Sequence, residues 1–205
     1  IEGKPAIQRL TERLSKSRFI DDLIIATTTN LDDDILCDWA ERNNINYYRG
    51  DEKNVLNRVV NAHLKMKSDI VVEVTGDCPL IDPQFIDQGI KIFLNNQYDV
   101  VTNVVKPSFS QGIDVQIFKF SLLKWVEENI KDQVVQEHVS IFFYENPNKY
   151  KTYHMEAPKE LQAPNIRMQL DYKEDLTFIK KIYKNLENTK GKFFSYRDIL
   201  QLLNE

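Results

Sequence analysis

The chain has 205 residues, of which 42% are hydrophobic and 28% charged, so it can fold as one domain with a core, and its composition argues against disorder. A net charge of −4 and the lack of a basic or aromatic cluster argue against a nucleic-acid-binding protein, and no apolar run approaches the ~18 residues that span a bilayer. The two cysteines, Cys37 and Cys78, indicate reduced thiols in the cytoplasm rather than a disulfide framework.

The first half of the chain alternates between short apolar runs and helical patterns. We predict strands at 23–26, 46–48, 70–74 and 98–105, and helices after Pro5 and around 32–39, 55–60 and 85–94. Strict alternation of this kind is typical of a parallel sheet with helices on both faces. The chain is expected to begin on a helix, whereas doubly wound nucleotide-binding sheets usually begin with a central strand and a phosphate-binding loop.

The pattern changes after Pro107. We predict a strand at 114–120, helices at 121–129 and 133–145, an edge strand at 151–156, a strand at 166–171 and two closing helices.

Two aspartates follow predicted strands and are candidate metal ligands. Asp77 lies directly after the 70–74 strand, at the strand edge where open α/β sheets bind ligands, and Asp171 ends the 166–171 run. Two such carboxylates suit a hard divalent ion that carries a phosphate. Each also has a structural interpretation. Asp77 fits turn chemistry, and Asp171 with Glu174 fits a capping box at a helix start.

Other polar residues remain open from the sequence alone. Lys4, beside a glycine at a helix start, is a plausible phosphate contact or a surface lysine, and Arg49 is either a phosphate or base contact or an exposed arginine. His138 fits a core-edge position better than a catalytic one, although Glu137 and His138 together could reach a site. Cys78 has no paired histidine motif and is not expected to be a nucleophile.

Taken together, these motifs resemble the cytidylyltransferases that make CMP-activated sugar acids, and within them the F-type proteins of spore coat polysaccharide biosynthesis. The resemblance covers nearly the whole chain. It is carried, in order, by Ile25-Ala-Thr-Thr28, Tyr48-Arg-Gly-Asp51 with Val55, Leu56 and Arg58, Thr75-Gly-Asp-Cys-Pro-Leu-Ile-Asp82, Gln111-Gly-Ile-Asp-Val115, Glu137-His-Val139 and Leu170-Asp-Tyr-Lys-Glu-Asp-Leu176.

The resemblance implies a single α/β domain over 1–205, with a nucleotidyltransferase, Rossmann-like three-layer sandwich and a mostly parallel sheet. Residues 105–160 would form a small inserted lobe that covers the sugar and builds a homodimer. The implied reaction joins CTP and a sugar acid of the nonulosonic-acid type into a CMP-sugar with release of pyrophosphate, for cell-surface polysaccharide synthesis in the cytoplasm. Mg²⁺ would assist in-line attack of a sugar hydroxyl on the α-phosphorus.

The resemblance also implies roles for particular residues. Asp77 and Asp171 would be the catalytic, Mg²⁺-holding pair. The nucleotide side would comprise Lys4, Thr27, Arg49, Gly50, Arg58 and Gly76. The sugar side would comprise Gln111, Gly112, Asp114, Glu137 and His138.

The sequence departs from the family pattern at its start. Relatives open with a strand and a basic, glycine-containing loop before the motif that stands here at Gly3-Lys4-Pro5. Without that central strand we expect a gap between its two neighbours, with unpaired backbone groups on both sides. We also expect little transferase activity from the 205 residues as written, because the loop that cradles the triphosphate is missing.

Two alternatives to this enzyme remain. One is a non-catalytic relative that uses the fold and the dimer surface for binding or regulation, and the retained Asp77 and Asp171 argue against it. The other is a nucleotidyltransferase for a different nucleotide or a neutral sugar.

Overall fold

The structure, a computed structural model, describes residues 1–204. Their strands are β1 (Ile24–Thr28), β2 (Asn46–Gly50), β3 (Ile70–Glu73), β4 (Val100–Thr102), β5 (Gln116–Lys119) and β6 (Thr152–His154). Their helices are α1 (Ala6–Leu14), α2 (Asp34–Arg42), α3 (Val55–Met66), α4 (Pro83–Asn95), α5 (Phe120–Asn129), α6 (Gln133–Glu137), α7 (Ile141–Glu145), α8 (Lys173–Lys190) and α9 (Tyr196–Asn204). None of these helices is both long enough and apolar enough to cross a membrane.

The strands form two separate sheets. β1 and β2 pair in parallel, with Ile24 opposite Asn46 and Thr28 opposite Gly50. The larger sheet has the order β3-β5-β4-β6, in which β5 runs antiparallel to both neighbours and β4 runs parallel to β6. The predicted edge position of the 151–156 strand is therefore confirmed, and residues 105–160 contribute both β5 and β6 to this sheet.

Helices cover both faces of the larger sheet, as the alternation predicts. Side chains along a strand point to opposite faces in turn. Val101 and Ile117 therefore point into a first core with α1, α4, α8 and α9, whereas Val100 and Phe118 point into a second core with α3, α5, α6 and α7. In α4, Gly89 allows close packing on β5, since an added Cβ would lie 2.8 Å from Cδ1 of Ile117.

A groove of about 410 Å³ separates the two sheets. Its walls include Ile24 of β1 and Ile70 and Val72 of β3, with Leu14 and Ile90 on the helices behind them. In residues 1–204, the edge of β1 away from β2 and the edge of β3 away from β5 have no strand partner. This arrangement agrees with the gap that we expected between two strands.

Two predicted elements are wrong. Residues 166–171 form no strand but only an isolated parallel bridge, Gln111 to Arg167, because their backbone groups bond to two loops rather than to a neighbouring strand. The helix predicted at 133–145 is broken at His138 into α6 and α7. Val139 and Ser140 lie at the break and are weak helix formers. Val139 is buried in the second core, so packing rather than helix propensity decides the backbone conformation there.

A polar row crosses the larger sheet on the face of the second core. It consists of Glu73 of β3, Gln116 of β5 and Thr102 of β4, which lie opposite one another in register. Tyr144 of α7 covers the row, with its hydroxyl 2.6 Å from Oε1 of Gln116 and 3.0 Å from Oγ1 of Thr102. Burial of the Glu73 carboxyl in this position raises its pKa from 4.5 to about 7.

We predict that replacing Glu73 with Gln removes a pH dependence from the free energy of unfolding. The native state holds the Glu73 proton more tightly than the unfolded chain, so the wild-type protein loses stability as pH rises from 4.5 to about 7. The loss is at most about 3 kcal/mol, and the Glu73→Gln variant avoids it.

Urea unfolding near pH 5 and near pH 8 measures this effect, and the variant should gain stability on the wild type at the higher pH. Glu145→Gln makes the same charge change at an exposed position of α7 and is the control. Equal responses of the two variants would contradict the prediction.

Candidate active site at the carboxyl end of β3

Asp77 lies in the turn that follows β3. One of its carboxylate oxygens accepts hydrogen bonds from the hydroxyl of Thr75 and, at 3.4 Å, from the thiol of Cys78. The other accepts a hydrogen bond from the side-chain amide of Gln169, far along the chain. The local bonds match the turn interpretation, while the bond to Gln169 joins Asp77 to a second segment. Burial raises the pKa of the Cys78 thiol, which agrees with its expected lack of nucleophilic character.

A bridging segment, residues 166–170, ties together the loops that carry Asp77 and Gln111. The backbone N–H of Met168 donates to the carbonyl of Gln111 at 2.7 Å, and that of Leu170 donates to the carbonyl of Asp77 at 2.8 Å. Three stretches that are far apart in sequence therefore meet at one edge of the sheet. Asp171 directly follows Leu170, so its backbone is one residue away from the hydrogen bond to Asp77.

Asp114 reaches the same edge from the loop before β5. The buried side-chain amide of Asn103 clamps the residues on both sides of it, donating to the carbonyl of Ile113 at 2.6 Å and accepting from the N–H of Val115 at 2.7 Å. Burial, together with the negative charge of Asp77, raises the pKa of Asp114. The two carboxyl groups are thus close enough to interact electrostatically.

Gly112 fits the bridging segment because it has no side chain. Its φ is +95°, and an added Cβ would lie 2.6 Å from the backbone nitrogen of Gln169 and 2.7 Å from the carbonyl carbon of Met168. Its N–H donates to the Asp114 carboxylate at 3.3 Å. Glycine is therefore required here both for its backbone conformation and for a close backbone approach.

The Asp171 carboxylate is turned toward Arg167, which also contacts Asp175 at 3.3 Å. The capping-box interpretation of Asp171 with Glu174 is wrong, because α8 has Tyr172 as its N-cap and Asp175 as the capping carboxylate. The backbone N–H groups of Asp171 and Tyr172 each donate to Asp175 at 2.9 Å and hold its pKa below the usual range. The Asp171 carboxylate therefore has no part in this cap.

The residues predicted for the nucleotide lie at the ends of β1 and β2. Thr27 donates to Asp33 at 2.7 Å. Arg49 donates to the carbonyl of Thr28 at 2.8 Å and forms an ion pair with Asp34 at 2.6 Å. These bonds order the loop between β1 and α2. Arg49 is therefore not simply an exposed surface arginine, which was one of the two alternatives left open by the sequence.

Arg58 of α3 packs against Gly50, where an added Cβ would lie 3.1 Å from Cγ of Arg58. Its guanidinium donates to the carbonyl of Asp51 at 2.6 Å. Lys4, which lies just before α1, instead forms an ion pair at 2.7 Å with Glu12 of α1. The structure thus joins Thr27, Arg49, Gly50 and Arg58 into one neighbourhood and leaves Lys4 in a separate contact.

Glu137 and His138 lie exposed at the end of α6. Neither side chain forms a hydrogen bond within the described residues 1–204, so the structure does not attach them to the Asp77 edge. The core-edge interpretation of His138 is wrong, because the residue is exposed. The residue of this region that does reach the sheet edge is Tyr144, through the polar row.

The donor set at this edge fits Mg²⁺. The ion prefers oxygen ligands and in proteins usually takes one or two carboxylates together with substrate phosphates. Asp77 supplies a carboxylate, the hydroxyl of Thr75 adds a neutral oxygen, and the Asp114 carboxyl is close enough to interact with Asp77, while Asp171 would have to turn from Arg167 to join. Within residues 1–204, no group of three or more histidine, cysteine, aspartate or glutamate side chains is placed to hold a metal ion.

The sequence analysis missed three residues of this site: Asn103, Gln169 and Arg167. Gln169 alternates with Arg167 and Asp171 along the run 165–171, and this pattern could have been used to predict Gln169 as a site residue. Asn103 had none, because its role depends on packing against a loop ten residues further along the chain.

We predict that Gly112→Ala destabilises the protein by about 2 kcal/mol or more, since the methyl group meets backbone atoms and the positive φ disfavours alanine. Urea unfolding measures the change. Gly76→Ala is the matched control, because an added Cβ at Gly76 meets nothing within 4 Å. Similar losses in both variants would contradict this account of Gly112.

Two known proteins are similar to this chain in sequence, and one solved structure is similar to it in fold. The Spore coat polysaccharide biosynthesis protein SpsF of Bacillus subtilis (strain 168) is 31% identical over 201 residues, which cover 95% of this chain and 81% of the relative. The 3-deoxy-manno-octulosonate cytidylyltransferase of Francisella tularensis is 35% identical over 107 residues, covering 51% of this chain and 42% of the relative. A cytidylyltransferase structure from Leptospira borgpetersenii matches with a TM-score of 0.90 and 29% identity, covering 98% and 84% of the two chains.

The structural match confirms the predicted α/β, Rossmann-like nucleotidyltransferase fold. The sequence pattern of the family described as "Cytidylyltransferase" matches residues 1–199. Since this match spans nearly the whole chain, the protein belongs to the cytidylyltransferase family.

Proposed function

We propose that the protein transfers CMP from CTP to a sugar acid of the nonulosonic-acid type and releases pyrophosphate, for cell-surface polysaccharide biosynthesis. One observation carries the proposal: the bridging segment brings Asp77, Asp114 and Asp171 to one sheet edge in a chain of the cytidylyltransferase family. The name of one relative, a 3-deoxy-manno-octulosonate cytidylyltransferase, supports the sugar-acid class, and the name of the other, a spore coat polysaccharide biosynthesis protein, supports a role in polysaccharide biosynthesis.

Asp77 and Asp171 are the proposed Mg²⁺ ligands. When bound, Mg²⁺ would offset charge on the triphosphate and on the leaving pyrophosphate. Asp77 is held in place by Thr75 and Gln169, so its carboxylate needs no large reorganisation. Asp171 would have to leave Arg167 to hold the cation, and Asp175 would still hold the Arg167 guanidinium.

The nucleotide is proposed to lie over the ends of β1 and β2 and over the turn at Gly76. Thr27, Arg49, Gly50 and Arg58 form one wall, and the exposed backbone of Gly76 allows a phosphate to approach. Lys4 stays a predicted phosphate contact that would have to leave Glu12.

The sugar is proposed to bind on the other side of Asp77. Gln111, Gly112 and Asp114 form the near wall, and Glu137 and His138 stay predicted contacts from the end of α6. The homodimer and the cytoplasmic location implied by the resemblance also stay predictions.

Pyrophosphate release, screened across nucleotides and acceptors, tests the proposed reaction. With Mg²⁺, and in a protein that also carries the family's opening strand and basic loop, we expect release with CTP and either 3-deoxy-manno-octulosonate or a nonulosonic acid, and a CMP-sugar identified by mass spectrometry. Faster release with another nucleotide or with a neutral sugar would favour a different nucleotidyltransferase. No release with any pair, from a chain that still binds CTP, would favour a non-catalytic relative.

We predict that Asp77→Asn, made in a protein that also carries the family's opening strand and basic loop, lowers kcat/KM by about 100-fold or more while the fold stays intact, because an amide is a poor Mg²⁺ ligand. Steady-state pyrophosphate release over a Mg²⁺ titration measures the loss, and circular dichroism checks the fold. Asp38→Asn, on the exposed face of α2, makes the same charge change away from the site and is expected to keep wild-type activity. Full activity of Asp77→Asn at saturating Mg²⁺ would make Asp77 a turn residue only.

A further inference from the structure

The polar row is a continuation of the second core toward the active-site edge. Val71 and Phe118 on neighbouring strands are buried in that core. Two residues further toward the edge, on the same face, the chain places Glu73 and Gln116 instead. Two residues beyond Gln116 lies Asp114. The row therefore leads from the core directly to the carboxylates of the site.

The hydrogen bonds of the row have a defined direction. The hydroxyl of Tyr144 has one proton and lies 2.6 Å from Oε1 of Gln116, which can only accept, so that proton is given to Gln116. The amide nitrogen of Gln116 then points to Glu73, at 3.4 Å from its Oε2. The hydroxyl of Thr102 lies 3.0 Å from the Tyr144 hydroxyl and forms a second hydrogen bond with it. Tyr144 thus fixes which end of the Gln116 amide faces Glu73.

Glu73 is left with unused acceptor capacity. A carboxylate can accept about four hydrogen bonds. In residues 1–204, however, this one has a single long bond from Gln116 and no basic partner within ion-pair distance. Glu73 is only partly buried, and neither of its oxygens is a buried atom without a hydrogen-bond partner, so water or a ligand can occupy the unused acceptor positions.

Glu73 also lies within electrostatic reach of the site. Burial raises the pKa of Tyr144 to about 12, and the negative charges of Glu73 and Asp114 add to that rise. Asp114 in turn interacts with Asp77. These interactions connect Glu73 to the proposed metal site through neighbours.

We propose that Glu73 and the polar row form a specificity subsite for the acceptor sugar, in which Glu73 accepts hydrogen bonds from sugar hydroxyl groups remote from the reacting carbon. The proposal rests on the proposed cytidylyl transfer, because the reacting hydroxyl must lie beside Asp77 for the rest of the sugar to reach the row. An acceptor that keeps the reacting end but lacks the distal hydroxyls would lose this contact. Glu73 is then a specificity residue and has no part in bond formation.

Binding of sialic acid, a nonulosonic acid, measured without CTP by saturation-transfer NMR and titration calorimetry, tests the subsite. We expect Glu73→Gln to raise the dissociation constant about tenfold, the effect of losing a hydrogen bond to a charged group. Saturation of the protons on the distal, hydroxyl-bearing carbons should fall more than that of the protons near the carboxylate. Tyr144→Phe should raise the constant by about threefold, because Gln116 loses its fixed orientation.

Glu145→Gln is the matched control and should bind the sugar as the wild type does. Affinity and saturation pattern unchanged in Glu73→Gln, or no binding to the wild type, would overturn the subsite. Turnover separates the two proposals. A CMP-sugar formed with the same sugar KM by wild type and Glu73→Gln would overturn the subsite and support the transfer. Sugar binding that depends on Glu73, without any CMP-sugar, would overturn the transfer alone.

Discussion

The hydrogen bonds that the bridging segment makes to two loops are the constraint on which the whole site depends. They join the turn after β3 to the loop before β5 through backbone groups of Met168 and Leu170, so the placement of Asp77 and Asp114 does not depend on side-chain contacts alone. Gly112 makes this junction possible, because any side chain there would meet the bridging backbone. Asn103 completes it from the opposite side by clamping the two residues that flank Asp114. Four parts of the chain thus share one rigid edge.

The antiparallel setting of β5 explains how a loop before a strand and a turn after a strand come to share that edge. The amino end of β5 lies beside the carboxyl end of β3, with Gln116 opposite Glu73. The alternation of side chains then separates two tasks. One face of these strands holds Ile117 and its neighbours in the first core, while the other changes within two residues from apolar Phe118 to polar Gln116. Polar side chains of the sheet therefore reach the site while both faces of the sheet stay packed against their cores.

Sequence reasoning located the fold and Asp77 because both depend on local signals: an apolar run, its end, and the motif that follows. It failed where the outcome depends on pairing between distant segments. The alternating run at 166–171 reads as a strand, yet no strand lies beside it, and its backbone bonds to loops instead. The apolar spacing at 133–145 reads as one helix, yet the chain breaks at His138. The polar row could not be predicted, because the facing of Glu73, Gln116 and Thr102 is a matter of register across three strands.

Under the proposed function, the acidic charges at this edge make phosphate binding depend on a bound cation. Burial, with a smaller contribution from the negative charge of Asp77, raises the pKa of Asp114, and Glu73 is a further acidic group near this edge. Arg167, the basic side chain at this junction, is already held by Asp171 and Asp175. Under the proposed function, a triphosphate that approached these carboxylates alone would meet repulsion. A divalent cation that accompanied the nucleotide would offset that repulsion and compete with Arg167 for Asp171. We therefore expect the acidic edge to favour the nucleotide as its metal complex over the free anion.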